Sequence, residues 1–226
     1  MDTSATELSP RERLLAAATR AVEESGPEVV RARSLTAEVG TSTQAIYTLF
    51  GGMPGLFEAV VAAGFAAFAR HVDEIPESED PVADFFAKGW AYTEWALAHP
   101  QLYRLMFGLT GGALRHHAAL EVSMAGQASN SPEAQAAVDV LVRSMGRVCE
   151  SGRIDPVDPV VAAGQFLSAT HGYLLLEIGG VFGTEGDGLS VIRPLAVNLM
   201  VGLGDDRAAA GSSFEAIAAA KDTTDG

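Results

Sequence analysis

The sequence predicts an all-α protein, and three observations lead to this fold class. Apolar residues recur at intervals of three and four, which is the spacing of one helix face, whereas alternation of period two is scarcely seen. Proline repeatedly follows a capping residue, as in Ser9-Pro10, Asp80-Pro81 and Ser131-Pro132, where the first turn of a helix tolerates it. No Asn-Gly or Asp-Gly turn joins two strand-like runs. We therefore expect helices throughout the chain.

Each predicted helix has an apolar stripe or a capping proline. Leu14, Ala18 and Val22 define the first stripe, which stops near Ser25-Gly26. Later stripes are Leu56 to Phe68, Phe85 to Thr93, Val138 to Met145, and Val191 to Leu203 at intervals of four. The predicted ranges are 10–25, 33–39, 43–50, 54–72, 81–98, 101–107, 113–124, 132–151, 157–181 and 189–203. Pro194 is expected to kink the last helix or to lie close to its start.

Composition excludes several classes of protein. The 226 residues carry a formal net charge of −14, which excludes a wholly basic nucleic-acid binder, so any DNA contact must come from a local patch. One cysteine, Cys149, excludes an internal disulfide framework and any multi-cysteine metal site. The first ten residues do not resemble a signal peptide, and no apolar run approaches the ~18 residues of a membrane span. We expect a cytoplasmic protein that has no membrane partner and holds neither a metal nor another cofactor.

The most informative stretch is residues 33–50. A short helix with Leu35 and Val39 on one face ends at Gly40, which can adopt the positive φ that stops a helix. Ser42 can cap a second short helix with Ile46 and Phe50 on its buried face. This spacing is that of a helix-turn-helix. The exposed face of the second helix then presents hydrogen-bonding side chains suited to base edges and phosphates: Thr43, Gln44, Tyr47 and Thr48.

Residues 11–65 resemble the TetR/AcrR family of bacterial transcriptional regulators. The similarity lies in Leu35-Thr36-Ala37-Glu38-Val39-Gly40-Thr41-Ser42, Ala45-Ile46-Tyr47 and Phe50-Gly51-Gly52, followed by Leu56-Phe57. The resemblance implies that Thr43 and Gln44 read bases. It also implies that Ser42, Tyr47 and Thr48 contact backbone or bases, and that Arg33, together with Arg31, holds phosphate. One departure is Met53, where the family commonly has a phosphate-binding lysine, and no Lys or Arg occurs from Ser34 to Ala69.

A second resemblance concerns the regulatory domain of one TetR branch, which is named after a Trp-His-Gly signature. It depends on residues 99–107 and on Thr170-His171-Gly172, where threonine replaces the tryptophan. A regulator of this kind needs a largely apolar pocket for a small organic effector. The candidate lining residues are Phe86, Trp90, Trp95, Tyr103, Met106, Phe107, Phe166, His171 and Tyr173, although aromatic residues at helical spacing are also typical of a core. Glu94 and Glu177, polar residues within apolar runs, are candidate contacts for a cationic or hydroxylated ligand; the alternative is that each is solvated or paired with an arginine.

The last two predicted helices are suited to dimerisation. Small residues on the first permit close approach of another helix, and the second carries leucines four apart. The candidate interface residues are Gly164, Ser168, Gly172, Leu175, Val191, Leu195 and Leu199. The alternative is that both helices belong to the core of a monomer.

These patterns predict four segments: a flexible N-terminus (1–9), a three-helix DNA-binding head (10–53), a larger helical domain for ligand binding and dimerisation (54–204), and a flexible tail (205–226). The predicted function is that of a regulator, expected to be a repressor, that binds a pseudo-palindromic operator as a homodimer and is released by its effector. The chain has no Gly-x-Ser-x-Gly, P-loop or dinucleotide glycine pattern, so an enzyme is not expected. The alternative function is a binding or interaction module of the same fold that has lost specific DNA binding.

Overall fold

A computed structural model describes residues 8–110, 131–183 and 189–222. Within these ranges the regular elements are all helical, as predicted. They are α1 (Pro10–Ser25), α2 (Ala32–Val39), α3 (Thr43–Phe50), α4 (Met53–Asp73), α5 (Pro81–Ala98), α6 (Pro100–Met106), α7 (Pro132–Glu150), α8 (Pro159–Ile178), α9 (Leu189–Gly202) and α10 (Arg207–Asp222), with a 3₁₀ turn at Pro27–Val29. Pro194 lies inside α9. The helix predicted over 113–124 lies outside the described residues.

The chain divides into two compact units, and the division differs from the predicted domains. The first unit comprises Met1–Phe65 and His99–Glu121, and the second comprises Ala66–Ala98 and Val122–Gly226. The boundary therefore falls inside α4 rather than before it, and α6 belongs with the head. The reason is packing: α6 contacts α1, and His99 Nδ1 lies 2.8 Å from Glu23 Oε1.

In the first unit, α1 packs against α2 and α6. The hydroxyl of Ser9 accepts a hydrogen bond from Glu12 N while the Glu12 carboxylate accepts one from Ser9 N, which is a complete capping box. On α4, Gly64 lies so close to α6 that a β-carbon there would be 2.8 Å from the sulfur of Met106. The absence of a side chain at this glycine therefore allows α4 and α6 to pack closely.

In the second unit, α5 is surrounded by α7, α8 and α10. The core between them is formed by Val82, Phe85, Phe86, Met145, Val148, Ile154, Ala162, Ala163, Phe166, Met200, Ala210 and Phe214. Two of its aromatic contacts are Phe85 with Phe166, at 4.9 Å between ring centroids, and Phe86 with Phe214, at 5.3 Å. Burial of these side chains is the main stabilising contribution of the unit.

The prediction of a flexible tail from residue 205 is wrong for residues 207–222, which form α10. Two residues of this helix, Ala210 and Phe214, are buried in the core. The helix is also attached by Arg153, which lies in the connection after α7. Its guanidinium forms two bonds with Asp205, at 3.2 and 2.7 Å, and further bonds of 2.9 Å with Asp80 and with the hydroxyl of Ser213.

A second polar cluster joins α5 to α7. The buried carboxylate of Asp84 accepts hydrogen bonds from Ser78 N at 2.8 Å, from Ser78 Oγ at 2.6 Å and from Arg147 Nη1 at 2.6 Å. Burial raises the pKa of Asp84, but these hydrogen bonds outweigh it, and the pKa is lowered from its ordinary value. The charged form of this residue therefore stabilises the fold.

One helix, α4, is long and apolar enough to cross a membrane by length and composition alone, which corrects the expectation that no apolar run has that length. Glycine, alanine and Glu58 separate its bulky residues, so the sequence shows no continuous bulky run. Half of its most apolar window is buried within the protein. This degree of burial is typical of a core helix.

We predict that Phe214→Ala lowers the free energy of unfolding by about 3–5 kcal/mol, because it removes an aromatic side chain packed between Phe86 and Trp90. Denaturant unfolding measures the effect. The matched control is the neighbouring Glu215→Ala, which removes only a solvent-exposed ion pair with Arg193 and should change stability by less than about 1 kcal/mol. If both substitutions changed the free energy of unfolding by equally small amounts, packing of α10 would not stabilise the fold.

We also predict that Asp84→Asn lowers stability by about 1.5–3 kcal/mol at neutral pH, since it weakens charge-assisted hydrogen bonds. The pKa of Asp84 is lower in the folded than in the unfolded state, so its contribution is present above the unfolded pKa and is lost as pH falls through the folded pKa. The difference between wild type and variant should therefore shrink on acidification in denaturant unfolding curves. Asp73→Asn, which breaks an exposed pair with Arg143, is the control; a pH-independent difference at Asp84 would contradict this account.

Candidate DNA-binding and effector-binding sites

The helix-turn-helix is built by α2, a short turn and α3. Gly40 ends α2 with φ 70° in the left-handed region, and the amide of Thr41 donates to the carbonyl of Thr36 at 2.8 Å. Ser42 is the N-cap residue of α3, as predicted, and has an extended conformation, although its hydroxyl receives no hydrogen bond from the helix. Leu35 and Ile46 are buried on the inner faces of the two helices, as the spacing predicts.

All seven predicted DNA-contacting residues are exposed in the first unit. They are Arg31, Arg33, Ser42, Thr43, Gln44, Tyr47 and Thr48. Tyr47 is the most exposed large side chain of α3, at 63%. Thr48 donates its hydroxyl to the carbonyl of Gln44 at 3.1 Å. The outer face of α3 is thus polar, accessible and free of acidic groups, which is the chemistry that base and phosphate recognition requires.

Three glycines set the position of α3 relative to the start of α4. Gly51 and Gly52 have φ of 75° and 120°, conformations that other residues rarely adopt. A β-carbon on Gly55 would lie 1.8 Å from the carbonyl oxygen of Phe50, so the first turn of α4 crosses the end of α3 with no room for a side chain. Gly51 and Gly52 belong to the family resemblance, whereas the role of Gly55 cannot be predicted from the sequence, because a close approach between two backbones has no local pattern.

The arginines of the head are partly engaged. Arg31 donates to the carbonyls of Glu28 at 2.7 Å and Val30 at 3.1 Å, and Arg20 pairs with Glu38. The guanidinium of Arg11 lies over the ring of Phe50, 5.0 Å from its centroid, at the end of α3. Met53 begins α4. Exposed arginines thus lie beside both helices of the motif: Arg31 and Arg33 at the start of α2, and Arg11 at the end of α3.

The nine candidate effector contacts fall into separate aromatic groups. In the first unit, Tyr103 and Phe107 lie 4.6 Å apart between centroids, Phe65 also contacts Phe107, and Met106 is fully buried. In the second unit, Phe86 and Trp90 contact Phe214, Phe166 contacts Phe85, Trp95 contacts Phe68, and Tyr173 stacks on Phe182. Most of these side chains pack in the core of their unit, so their role in effector binding stays a prediction.

Three polar groups lie among the apolar residues of α8. Burial lowers the pKa of the half-buried His171, so its imidazole is neutral at pH 7. Burial, the negative charge of Glu177 and a hydrogen bond to that residue raise the pKa of Tyr173 to about 12, so its phenol stays protonated. Among the described residues, none donates to Glu177 Oε2, although that atom is shielded from solvent.

The predicted dimer residues lie on α8 and α9. Ser168, Gly172, Leu175 and Val191 are exposed, and a β-carbon on Gly172 would meet no atom within 4 Å. Gly164 and Leu195 are half-buried, and Leu199 packs against the core of the second unit. Leu176 and Val181 add further exposed apolar surface near the end of α8. This face is available to a partner.

The comparisons with known proteins agree with this architecture. Residues 85–195 match a family model described as the C-terminal domain of tetracycline repressor-like proteins. The description does not name the branch with the Trp-His-Gly signature, so the resemblance to that branch stays a prediction. No curated protein sequence matches the chain significantly.

Solved structures share the fold over almost the whole chain. A protein of unknown function from Rhodococcus sp. RHA1 is 24% identical, with a TM-score of 0.71 over 90% of this chain and 100% of its own. A TetR-family transcriptional regulator from Pectobacterium atrosepticum is 23% identical, with a TM-score of 0.62 over 85% of this chain and 93% of its own. RolR in complex with resorcinol is 17% identical, with a TM-score of 0.62 over 91% and 92%.

The all-helical fold, the matching C-terminal domain and these TetR-family neighbours agree with the resemblance carried by residues 11–65. By the matched domain over residues 85–195 and by its fold, the chain is similar to the TetR family of transcriptional regulators.

Proposed function

We propose that this protein is a cytoplasmic, ligand-responsive transcriptional repressor that binds a pseudo-palindromic operator as a homodimer. The observation that carries the proposal is the outer face of α3, where Thr43, Gln44, Tyr47 and Thr48 are all exposed while Ile46 is buried beneath them. A surface helix needs no such run of uncharged hydrogen-bonding groups for stability. Glutamine and threonine side chains at these positions suit base edges in a major groove.

The distribution of charge supports an orienting role for the body of the protein. The second unit, residues 66–98 and 122–226, contains 20 acidic and eight basic residues, whereas the first unit, residues 1–65 and 99–121, contains nine and seven. DNA is therefore repelled least by the head. With few cations available, affinity should depend on hydroxyls, backbone amides and a small number of arginines, which predicts a shallow dependence on salt because the slope scales with the phosphates neutralised.

The proposed effector is a small organic molecule that binds in the second unit. RolR, a structural neighbour, binds resorcinol, and two of the predicted contacts, His171 and Tyr173, are half-buried or buried polar residues on α8. Effector binding would favour a spacing of the two heads that fits the operator poorly, so operator affinity would fall by a coupling free energy of about 1–3 kcal/mol.

The proposed dimer forms through α8 and α9. Small residues on α8 allow close approach of a second helix, and the exposed leucines and valines beside them supply apolar area. Two heads on such a dimer would contact successive major grooves about 34–36 Å apart.

The first prediction of this proposal concerns DNA. In electrophoretic shifts on the gene's own upstream DNA, Gln44→Ala and Tyr47→Ala should each weaken specific binding by about 1–3 kcal/mol, because they remove base-edge contacts. Arg33→Ala should weaken binding to all sequences similarly and reduce the salt slope by about one per head, because it removes a phosphate contact.

The matched control is Arg70→Ala, an exposed arginine of the second unit, which should leave affinity unchanged. Unchanged affinity in folded Gln44→Ala and Tyr47→Ala would show that α3 does not read the operator. No shift of the wild type even at low salt would favour a module of the same fold that has lost specific DNA binding.

The second prediction concerns assembly. Leu175→Asp should raise the dimer dissociation constant at least tenfold in sedimentation experiments, because it would bury an unpaired charge in the interface. Leu97→Asp is the control, since Leu97 is equally exposed, at 40% against 39%, but lies on α5 away from the predicted interface residues. Equal effects of the two substitutions, or none, would refute an α8 interface.

A further inference from the structure

The last two turns of α8 carry a carboxylate, Glu177, and an aromatic side chain, Tyr173. Tyr173 and Glu177 are four residues apart and therefore share a face of the helix. The ring of Tyr173 is buried and stacks on Phe182, with 5.7 Å between centroids and 18° between planes. Two parallel aromatic rings thus lie beside a carboxylate.

One oxygen of the Glu177 carboxylate has no hydrogen-bond donor among the described residues. Burial and the negative charge of this residue raise the pKa of the neighbouring Tyr173 phenol to about 12, so the phenol stays protonated. Its Oε2 is shielded from solvent and accepts no bond from the residues that the structure describes. A buried acceptor without a donor is destabilising, and a buried charge is ordinarily compensated by an opposite charge. The shielded oxygen of Glu177 can therefore still accept a hydrogen bond, and the negative charge of the carboxylate favours a cationic donor.

A second unsatisfied acceptor lies at the corresponding end of the neighbouring helix. Gln135 is in the first turn of α7, and its Oε1 also accepts no bond within the described part of the chain. Because α7 and α8 are consecutive helices that pack together across the short connection 151–158, they run antiparallel. The start of α7 and the end of α8 are therefore at the same end of this helix pair.

We propose that Glu177, Tyr173 and Phe182 form the recognition end of an effector site for an organic cation, an ammonium group carried on an apolar body. The ammonium would donate to Glu177 Oε2 and neutralise its charge, while the apolar body would pack against the rings of Tyr173 and Phe182, whose faces attract cations. This inference rests on the proposed effector response and specifies the chemical class of the effector.

The test uses three probes of nearly the same shape: 2-phenylethylamine, which is cationic; 2-phenylethanol, a neutral donor; and phenylacetate, an anion. In titration calorimetry on the full chain, the amine should bind at least tenfold more tightly than the alcohol, and the anion should not bind. Glu177→Gln, which keeps shape and removes the charge, should weaken binding of the amine at least tenfold. The control Glu79→Gln, at an exposed position of the same unit, should leave it unchanged.

Three results would overturn the proposal: no binding of the amine at millimolar concentration, equal binding of the anion, or an unaffected Glu177→Gln variant. A Glu177→Gln variant that alters sedimentation but not amine binding would instead place this carboxylate in a subunit interface, which also overturns it. Because binding is measured without DNA, each of these failures would leave the operator-binding proposal standing.

A second readout requires no ligand. Glu177→Leu removes the unsatisfied acceptor and should raise the melting temperature of the ligand-free protein while abolishing binding of the amine. If Glu177 only stabilised the fold, Glu177→Leu would instead lower the melting temperature.

Discussion

The second unit depends on the guanidinium of Arg153. It joins Asp80 before α5, Asp205 before α10 and Ser213 within α10, which are 52 to 73 residues away along the chain. Asp205 is almost completely buried, so without this arginine a carboxylate would be left uncompensated inside the fold. The two hydrogen bonds between Arg153 and Asp205 also fix the direction in which the chain enters α10. The helix therefore starts where Phe214 can reach Phe86. Polar pairing and aromatic packing therefore support the same arrangement of helices.

This dependence explains what the sequence could and could not predict. The head was predicted almost helix by helix, because caps, a left-handed glycine and an apolar stripe act within a few residues of each other. The tail was predicted wrongly. The small residues of α10 look like linker, and the partners that make it a helix, Arg153 and Asp80, are remote in sequence. The unit boundary inside α4 has the same origin, since it follows from the packing of α6 on α1.

The candidate DNA site shows a similar division between local and remote information. Exposure of the seven predicted residues follows from helical periodicity, which sequence contains. Periodicity does not predict the close crossing at Gly55 or the placement of Arg11 over Phe50, because both depend on how α4 and α1 meet α3. Together they hold α3 from two sides. A short helix of eight residues has little intrinsic stability in water, so α3 depends on this tertiary support to keep its position.

The two ends of α8 illustrate opposite uses of a carboxylate. At its start, Asp158 accepts from the backbone of Val160 and stabilises the helix it begins. Toward its end, Glu177 has an oxygen that is shielded from solvent and accepts no hydrogen bond from the described residues, an arrangement that is destabilising. Leucine at that position would leave no unsatisfied acceptor. An acceptor left unsatisfied beside stacked aromatic rings is therefore better explained by a group that binds there than by the stability of the helix itself.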